Sequence, residues 1–256
     1  MQTIVLATQK GGSGKSTLAI GLAVAAIQAG HTVRLIETDP QGTLSNWQRR
    51  RARAEPIVEP IYSAGEIEQR LQSLDANGVT MTIVDTAGGV SAATTAAIRY
   101  ADLCLIPARP SIADIEATAP TLSIVRAWNK PFAFVLNQTP IRSQRVNNAA
   151  TALGDQSALD IADVLAQTFI VMRNDHQDAL SAGLAVTEYA PTGKSADEIR
   201  SLWQWVEVKL NAIELNALPT VDDQHVVIAF PVAPDAGPAM YLHTPAKTAA
   251  PVSELV

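Results

Sequence analysis

Cysteine is nearly missing from this chain: among 256 residues Cys104 stands alone. One thiol excludes an internal disulfide and any zinc or iron–sulfur site built from several cysteines of one chain. A reducing compartment is therefore expected, and the chain is read as cytoplasmic. Long apolar runs are lacking too. The Ala-rich stretch 18–29 falls short of the roughly 20 residues that span a bilayer. The opening Met1–Thr8 run is short for a secretory leader and has no basic residues before it. Nor is there a basic surplus. Net charge is −6, so a nucleic-acid partner cannot be held by a globally basic surface. What is present is apolar material: 47% hydrophobic residues, with 14 glycines and 15 prolines, excludes general disorder and low-complexity composition.

Apolar, β-rich runs alternate with helical patterns to about residue 215. Strands are expected at Thr3–Ala7, Thr32–Glu37, Val79–Val84, Asp102–Ile106, Phe132–Leu136 and Thr168–Met172. Most are continuously apolar, as in parallel strands covered on both faces. Helices are expected at Ser16–Ala29, Ala64–Leu74, Ser91–Tyr100, Ile112–Trp128, Val146–Leu165 and Ala196–Ala212. The alternation implies an α/β fold, a doubly wound, mostly parallel sheet with helices on both faces. Composition shifts near Asn216. Residues 216–256 hold six of the 15 prolines and read as a flexible or loosely docked tail, in which Val226–Phe230 could add an edge strand. The domain is thus expected to span residues 1–215.

The sharpest motif lies between the first strand and the first long helix: Gln9-Lys10-Gly11-Gly12-Ser13-Gly14-Lys15-Ser16-Thr17. Phosphate binding requires several backbone N–H groups turned inward, and glycines permit that approach. The following helix offers its N-terminal dipole to the same anion. Lys15 supplies a cation to the β- and γ-phosphates, and the Ser16 hydroxyl suits Mg²⁺. The usual G-x-x-x-x-G-K-[ST] pattern fails at its first glycine, where Gln9 stands, and a second lysine appears at position 10. Two carboxylates end later strands. Asp39, in Glu37-Thr38-Asp39-Pro40-Gln41, lies where open α/β sheets bind ligands, although Asp39-Pro40 could also simply initiate a turn. Asp85 closes the apolar strand Thr82-Ile83-Val84, a Walker B arrangement that supports Mg²⁺ through its water shell. Gly88 and Gly89 let the next loop approach the γ-phosphate and move with it.

The K-G-G-x-G-K-[ST] arrangement resembles the deviant Walker A motif of the ParA/MinD family of P-loop ATPases. Asp39-Pro40-Gln41 followed by Leu44-Ser45-Asn46-Trp47, together with Asp102-Leu103 through Pro110-Ser111, looks like the plasmid partition branch. The resemblance covers about residues 1–212. It implies that ATP with Mg²⁺ is bound, that Lys10 reaches across a nucleotide-sandwich homodimer to the partner's phosphates, and that Asp39 positions the attacking water. The family's pattern is D-x-D-P-Q; here Glu37 replaces the first Asp, and its role is open. Asn137, Met172 and Arg173 fall where relatives contact adenine, Met172 standing in place of a proline.

The resemblance further implies a slow ATPase whose ATP-bound dimer binds nonspecific double-stranded DNA, associates with the nucleoid, and is reset by a centromere-binding or adaptor protein. Candidate basic residues are Arg49, Arg50, Arg51 and Arg53, which could equally be a solvated helix surface with local acidic partners. Arg142, Arg145, Arg173, Lys194, Arg200 and Lys209 complete the set. Membrane attachment of the MinD kind needs a basic amphipathic C-terminal helix, and the last helix carries Glu207 against a single Lys209, so no membrane is expected. An iron protein of the nitrogenase type would need more cysteines than Cys104. A biosynthetic ligase would need a substrate pocket that no residue pattern marks. The alternative kept open is a MinD-like or cluster-positioning ATPase acting on a protein or membrane surface.

Overall fold

In the computed structural model, which describes residues 1–141 and 144–217, the apolar segments line up as one parallel sheet. Its strands are β1 (Gln2–Leu6), β2 (Val33–Glu37), β3 (Ile57–Pro60), β4 (Met81–Asp85), β5 (Leu103–Ala108) and β6 (Phe132–Leu136). Their order is β3-β2-β4-β1-β5-β6, all parallel. Because the chain steps outward from β1 to β2 and β3, then returns to place β4 beside β1, the strand order reverses near β1. The crevice at the carboxyl ends of β1 and β4 is the expected ligand position in such a sheet. Register places Glu37 and Leu6 on either side of Asp85 at that end.

Both faces are covered. One core packs α1 (Lys15–Gln28), α2 (Thr43–Arg50) and α11 (Lys194–Ala217) on the sheet, together with α9 (Asp175–Ser181) and α10 (Val186–Tyr189). The other is formed with α3 (Ala64–Ala76), α4 (Ala92–Arg99), α5 (Ile112–Glu116), α6 (Ala119–Ala127), α7 (Gln144–Ser157) and α8 (Ile161–Val164). Burial on both sides explains the continuously apolar strands. Cys104 lies fully buried in β5, and burial pushes its thiol up to about 12, so it is a core residue. No helix among the described residues is long and apolar enough to cross a membrane.

The structure corrects several sequence-based expectations. Thr168–Met172 is not a sheet strand: it touches the body through an isolated bridge, Thr139 with Val171, as the chain runs past the end of β6. The edge strand β3 was not anticipated, since it is four residues long, preceded by Pro56 and ended by Pro60. Ile112–Trp128 is two helices, broken where Thr118 Oγ1 donates back to the carbonyl of Ile115 and Pro120 withholds an N–H. Val146–Leu165 breaks likewise at Ala158, whose φ is 50°. The short helices α2, α9 and α10 were also missed. The helix α11 runs on through Ala217, two residues into the segment read as a tail; the rest of that tail, the Val226–Phe230 strand and Arg142 lie outside the described residues.

Candidate functional site

The loop after β1 turns on two glycines with positive φ, Gly12 at 76° and Gly14 at 91°. A side chain at Gly14 would strain the backbone at that φ and displace Asn137, since a Cβ there would lie 2.2 Å from Asn137 Nδ2. That closeness reflects a latch from the end of β6. Asn137 Nδ2 donates to the Ser13 carbonyl at 2.7 Å, and Gln138 Nε2 donates to the Gly12 carbonyl at 2.8 Å. With these carbonyls held from outside, the loop's N–H groups are left for an anion. Lys15, in the first turn of α1, is buried, and its Nζ donates to the Lys10 carbonyl at 3.5 Å. Burial lowers its ammonium pKa, opposed by the nearby charges of Asp85 and Asp39.

Asp85 is completely buried, and among the described residues neither carboxylate oxygen has a hydrogen-bond partner. Desolvation raises its pKa to about 7. The Ser16 hydroxyl and then Lys15 pull it part of the way back, while Asp39 and Glu37 push it further up. An orphaned carboxylate facing a serine at a helix start is the donor chemistry of a magnesium site, hard oxygen ligands with room for water. Mg²⁺ therefore fits the residues present. Asp39 is partly exposed in the loop after β2, where its Oδ1 accepts from Gln41 N at 2.9 Å. The loop's start is tied to β4, as Thr38 donates through N and Oγ1 to the Asp85 carbonyl. A Cβ added at Gly88 would meet the backbone of Gln9 and Gly11 at 3.4 Å, so the loop after β4 runs close beside the phosphate loop.

Lys10 is held within its own chain. Its Nζ donates to Asp114 Oδ2 at 3.2 Å, and one third of its side chain is exposed. Asp114, 3% exposed, also accepts from Arg109 Nε at 2.9 Å and from the Ser111 hydroxyl. Despite burial, these donors hold its carboxyl below the usual range. Sequence reasoning missed Asp114; the only local trace was the capping pattern Ser111-x-x-Asp114.

Beyond Gly14 and Thr17 opens a cavity of about 110 Å³ whose lining includes Asn137, Met172, Arg173 and His176. The three expected base-contact positions thus converge beside the phosphate loop. Met172 is 66% exposed, and Arg173 is anchored to Glu198 at 2.7 Å. His176 was not singled out from sequence. Its Nε2 is buried without a partner among the described residues, and desolvation lowers its pKa.

The arginine cluster resolves into something other than an open basic face. Arg51 and Glu188 form a buried bidentate pair at 2.7 and 2.8 Å, with 2% and 4% side-chain exposure. Arg51 also lies over the ring of the buried Trp47, whose Nε1 donates to the Leu184 carbonyl at 3.1 Å. Arg53 joins Glu188 from solvent, Arg50 donates to the Leu180 carbonyl, and Arg49 binds Asn46. This contact bolts α2 to α9 and α10, and Gly183 makes it possible: a Cβ there would sit 2.5 Å from the Arg50 carbonyl carbon. Of the other candidates, Arg200 pairs with Asp197 and Lys209 donates to the Asp163 carbonyl.

A family model described as "CobQ/CobB/MinD/ParA nucleotide binding domain" matches residues 4–210. The chain is 32% identical over 130 residues to protein ParA of Rhizobium radiobacter. That match covers 49% of this chain and 56% of the relative, so the chain spans just over half of that protein's length. It is 27% identical over 209 residues to the maintenance of carboxysome distribution protein A of Halothiobacillus neapolitanus, covering 78% of this chain and 94% of the relative. Among solved structures, the septum site-determining protein MinD of Pyrococcus horikoshii, complexed with Mg-ADP, superposes with a TM-score of 0.65. It is 17% identical, and the match covers 81% of this chain and 98% of that one.

Proposed function

From the premise that this chain belongs to the CobQ/CobB/MinD/ParA nucleotide-binding family, we propose that it is a Mg-dependent ATPase of the partition type. ATP binding drives sandwich dimerisation and nonspecific DNA binding, and slow hydrolysis, stimulated by an adaptor protein, resets it to position a plasmid, chromosome or other cargo. The observation that carries this reading is the orphaned, fully buried carboxylate of Asp85 facing Ser16 and Lys15 at the head of a glycine-rich loop. Such a group is costly unless a ligand completes it.

The division of labour follows. Backbone N–H groups of Gly11–Ser16 and the Lys15 ammonium hold the phosphates. Ser16 holds Mg²⁺, supported by Asp85 and Asp39, the metal supplying charge neutralisation at the β- and γ-phosphates when bound. Asp39 orients the attacking water. Asn137, Met172 and Arg173 line the adenine side. Lys10 leaves Asp114 to reach the partner's phosphates, and Arg109 and Ser111 keep that carboxylate satisfied after it goes.

The test is light scattering together with duplex-DNA binding in ADP, ATP and a non-hydrolysable analogue across a salt titration. A dimer in the ATP states that binds DNA steeply weakened by salt supports the reading. A monomer in ATP overturns it. A second reading, a dimer whose track is a protein surface, is favoured by the burial of Arg51 and by the ion pairs of Arg53, Arg173 and Arg200, which occupy several nominated DNA contacts. The nearly full-length likeness to a carboxysome-distribution protein also fits a cargo other than DNA. ATP-dependent dimerisation without DNA binding selects it.

A further inference from the structure

Glu37 is the acid at which this chain departs from the D-x-D-P-Q pattern, and the structure gives it unusual surroundings. It ends β2 with no solvent exposure, one strand from Asp85. Its carboxylate crosses the intervening loop to the start of α2. There Oε1 accepts from Leu44 N at 2.6 Å, Oε2 accepts from Ser45 N at 3.3 Å, and the Ser45 hydroxyl donates to Oε2 as well. The helix has no cap of its own: Gly42 occupies the N-cap position and offers no side chain. Glu37 thus does from a neighbouring strand what an N-cap residue does locally, satisfying orphan N–H groups and meeting the positive end of the helix with negative charge.

The loop bridged by this contact is Thr38–Gly42, and Asp39 is in it. One end of that loop is held by Thr38 on the Asp85 carbonyl. Glu37 holds the other by fixing the first turn of α2. We infer that Glu37 is a positioning residue for ATP hydrolysis: it is no second carboxylate for the metal, but a brace that sets where Asp39 stands relative to the phosphate loop. Both of its oxygens already accept from the protein, in contrast to those of Asp85. The longer glutamate side chain is what the reach requires, since aspartate is one methylene shorter. This inference rests on the proposed ATPase activity, which the same experiment checks first.

The test uses the full chain carrying Glu37→Gln, Glu37→Asp or Ser45→Ala. Affinity for a fluorescent ATP analogue with Mg²⁺ is measured alongside steady-state turnover, melting temperature, and amide exchange at Leu44 and Ser45. The brace predicts that Glu37→Gln lowers kcat at least tenfold while ATP affinity stays within threefold. Glu37→Asp should not rescue it. Exchange at Leu44 and Ser45 should accelerate at least tenfold with the exchange of α1 unchanged. Ser45→Ala, which removes one donor and leaves the fold's charges intact, should lower kcat two- to fivefold with unchanged affinity. If the Glu37 variants do not fold, Ser45→Ala alone decides. Unchanged kcat in the folded variants, or parallel losses of affinity and kcat, overturns the positioning role. An inactive wild-type chain, in the presence of Mg-ATP, DNA and candidate adaptors, overturns the ATPase reading instead.

Discussion

Glu37 and Asp85 end neighbouring strands, face each other in register and are both completely buried, yet their surroundings are opposite. The carboxylate of Glu37 accepts from two backbone N–H groups and a hydroxyl. Asp85 has no hydrogen-bond partner on either oxygen among the described residues, and desolvation lifts its pKa to about 7. A buried charge that finds donors belongs to the framework; one that finds none destabilises the fold and is retained for what it binds. Glu188, 4% exposed and clamped by Arg51, is a second carboxylate of the satisfied kind, far along the chain from the phosphate loop.

Substitutions can convert one kind of carboxylate into the other. The largest stability change is expected for Arg51→Ala, which strips the buried Glu188 of its bidentate partner and leaves it only the solvent-exposed Arg53 and the Ala185 N–H. The cost should be about 3–5 kcal/mol in urea denaturation, and Trp47 fluorescence should shift as α2 loses its anchor. Asp85→Asn works in the opposite direction. Its folded pKa of about 7 lies above the ordinary 3.8, so the folded state holds a proton that the unfolded state has lost. Asp85 therefore erodes stability as pH rises between those values, and the loss is complete above about pH 7. At pH 8 the nucleotide-free Asn variant should be more stable than the parent by about 1–3 kcal/mol, allowing for the cost of a buried unpaired amide. The gain should vanish near pH 4, and Mg-dependent stabilisation by ATP should be lost at every pH. Gly14→Ala should force Asn137 off the Ser13 carbonyl and cost about 1–3 kcal/mol, with nucleotide binding weakened at least tenfold by calorimetry. Arg53→Ala removes the exposed partner of Glu188 and leaves Arg51 in place; a change within about 0.5 kcal/mol is expected in the same denaturation assay. Equal effects for Arg51 and Arg53 would remove the distinction between buried and exposed pairs.

Much of the site was legible because its chemistry is contiguous. Lys10 to Thr17 are consecutive, and Asp39 and Asp85 follow apolar runs that read plainly as strands. Asn137, Met172 and Arg173, singled out through the resemblance, line one cavity. The rest was hidden for identifiable reasons. The strand β3 is too short and too proline-bound to show alternation. The four arginines after Trp47 looked like a charge cluster because nothing local reveals that Glu188 would meet two of them. The role of Glu37 stayed open because a cap supplied from another strand leaves no trace at the helix it caps.

The amino-acid sequence by itself determined the class of fold and the place of the phosphate loop. Continuous apolar strands must be covered on both faces, and a loop of glycines between strand and helix must expose N–H groups to an anion. Only the tertiary structure decided what each polar or charged side chain does. Asn137 latches a carbonyl 124 positions away, Lys10 rests on a carboxylate 104 positions away, and Arg51 pairs across 137. Such partners are chosen by how the crossover connections stack helices on the sheet, and once buried, a charge has only the groups that packing brings to it.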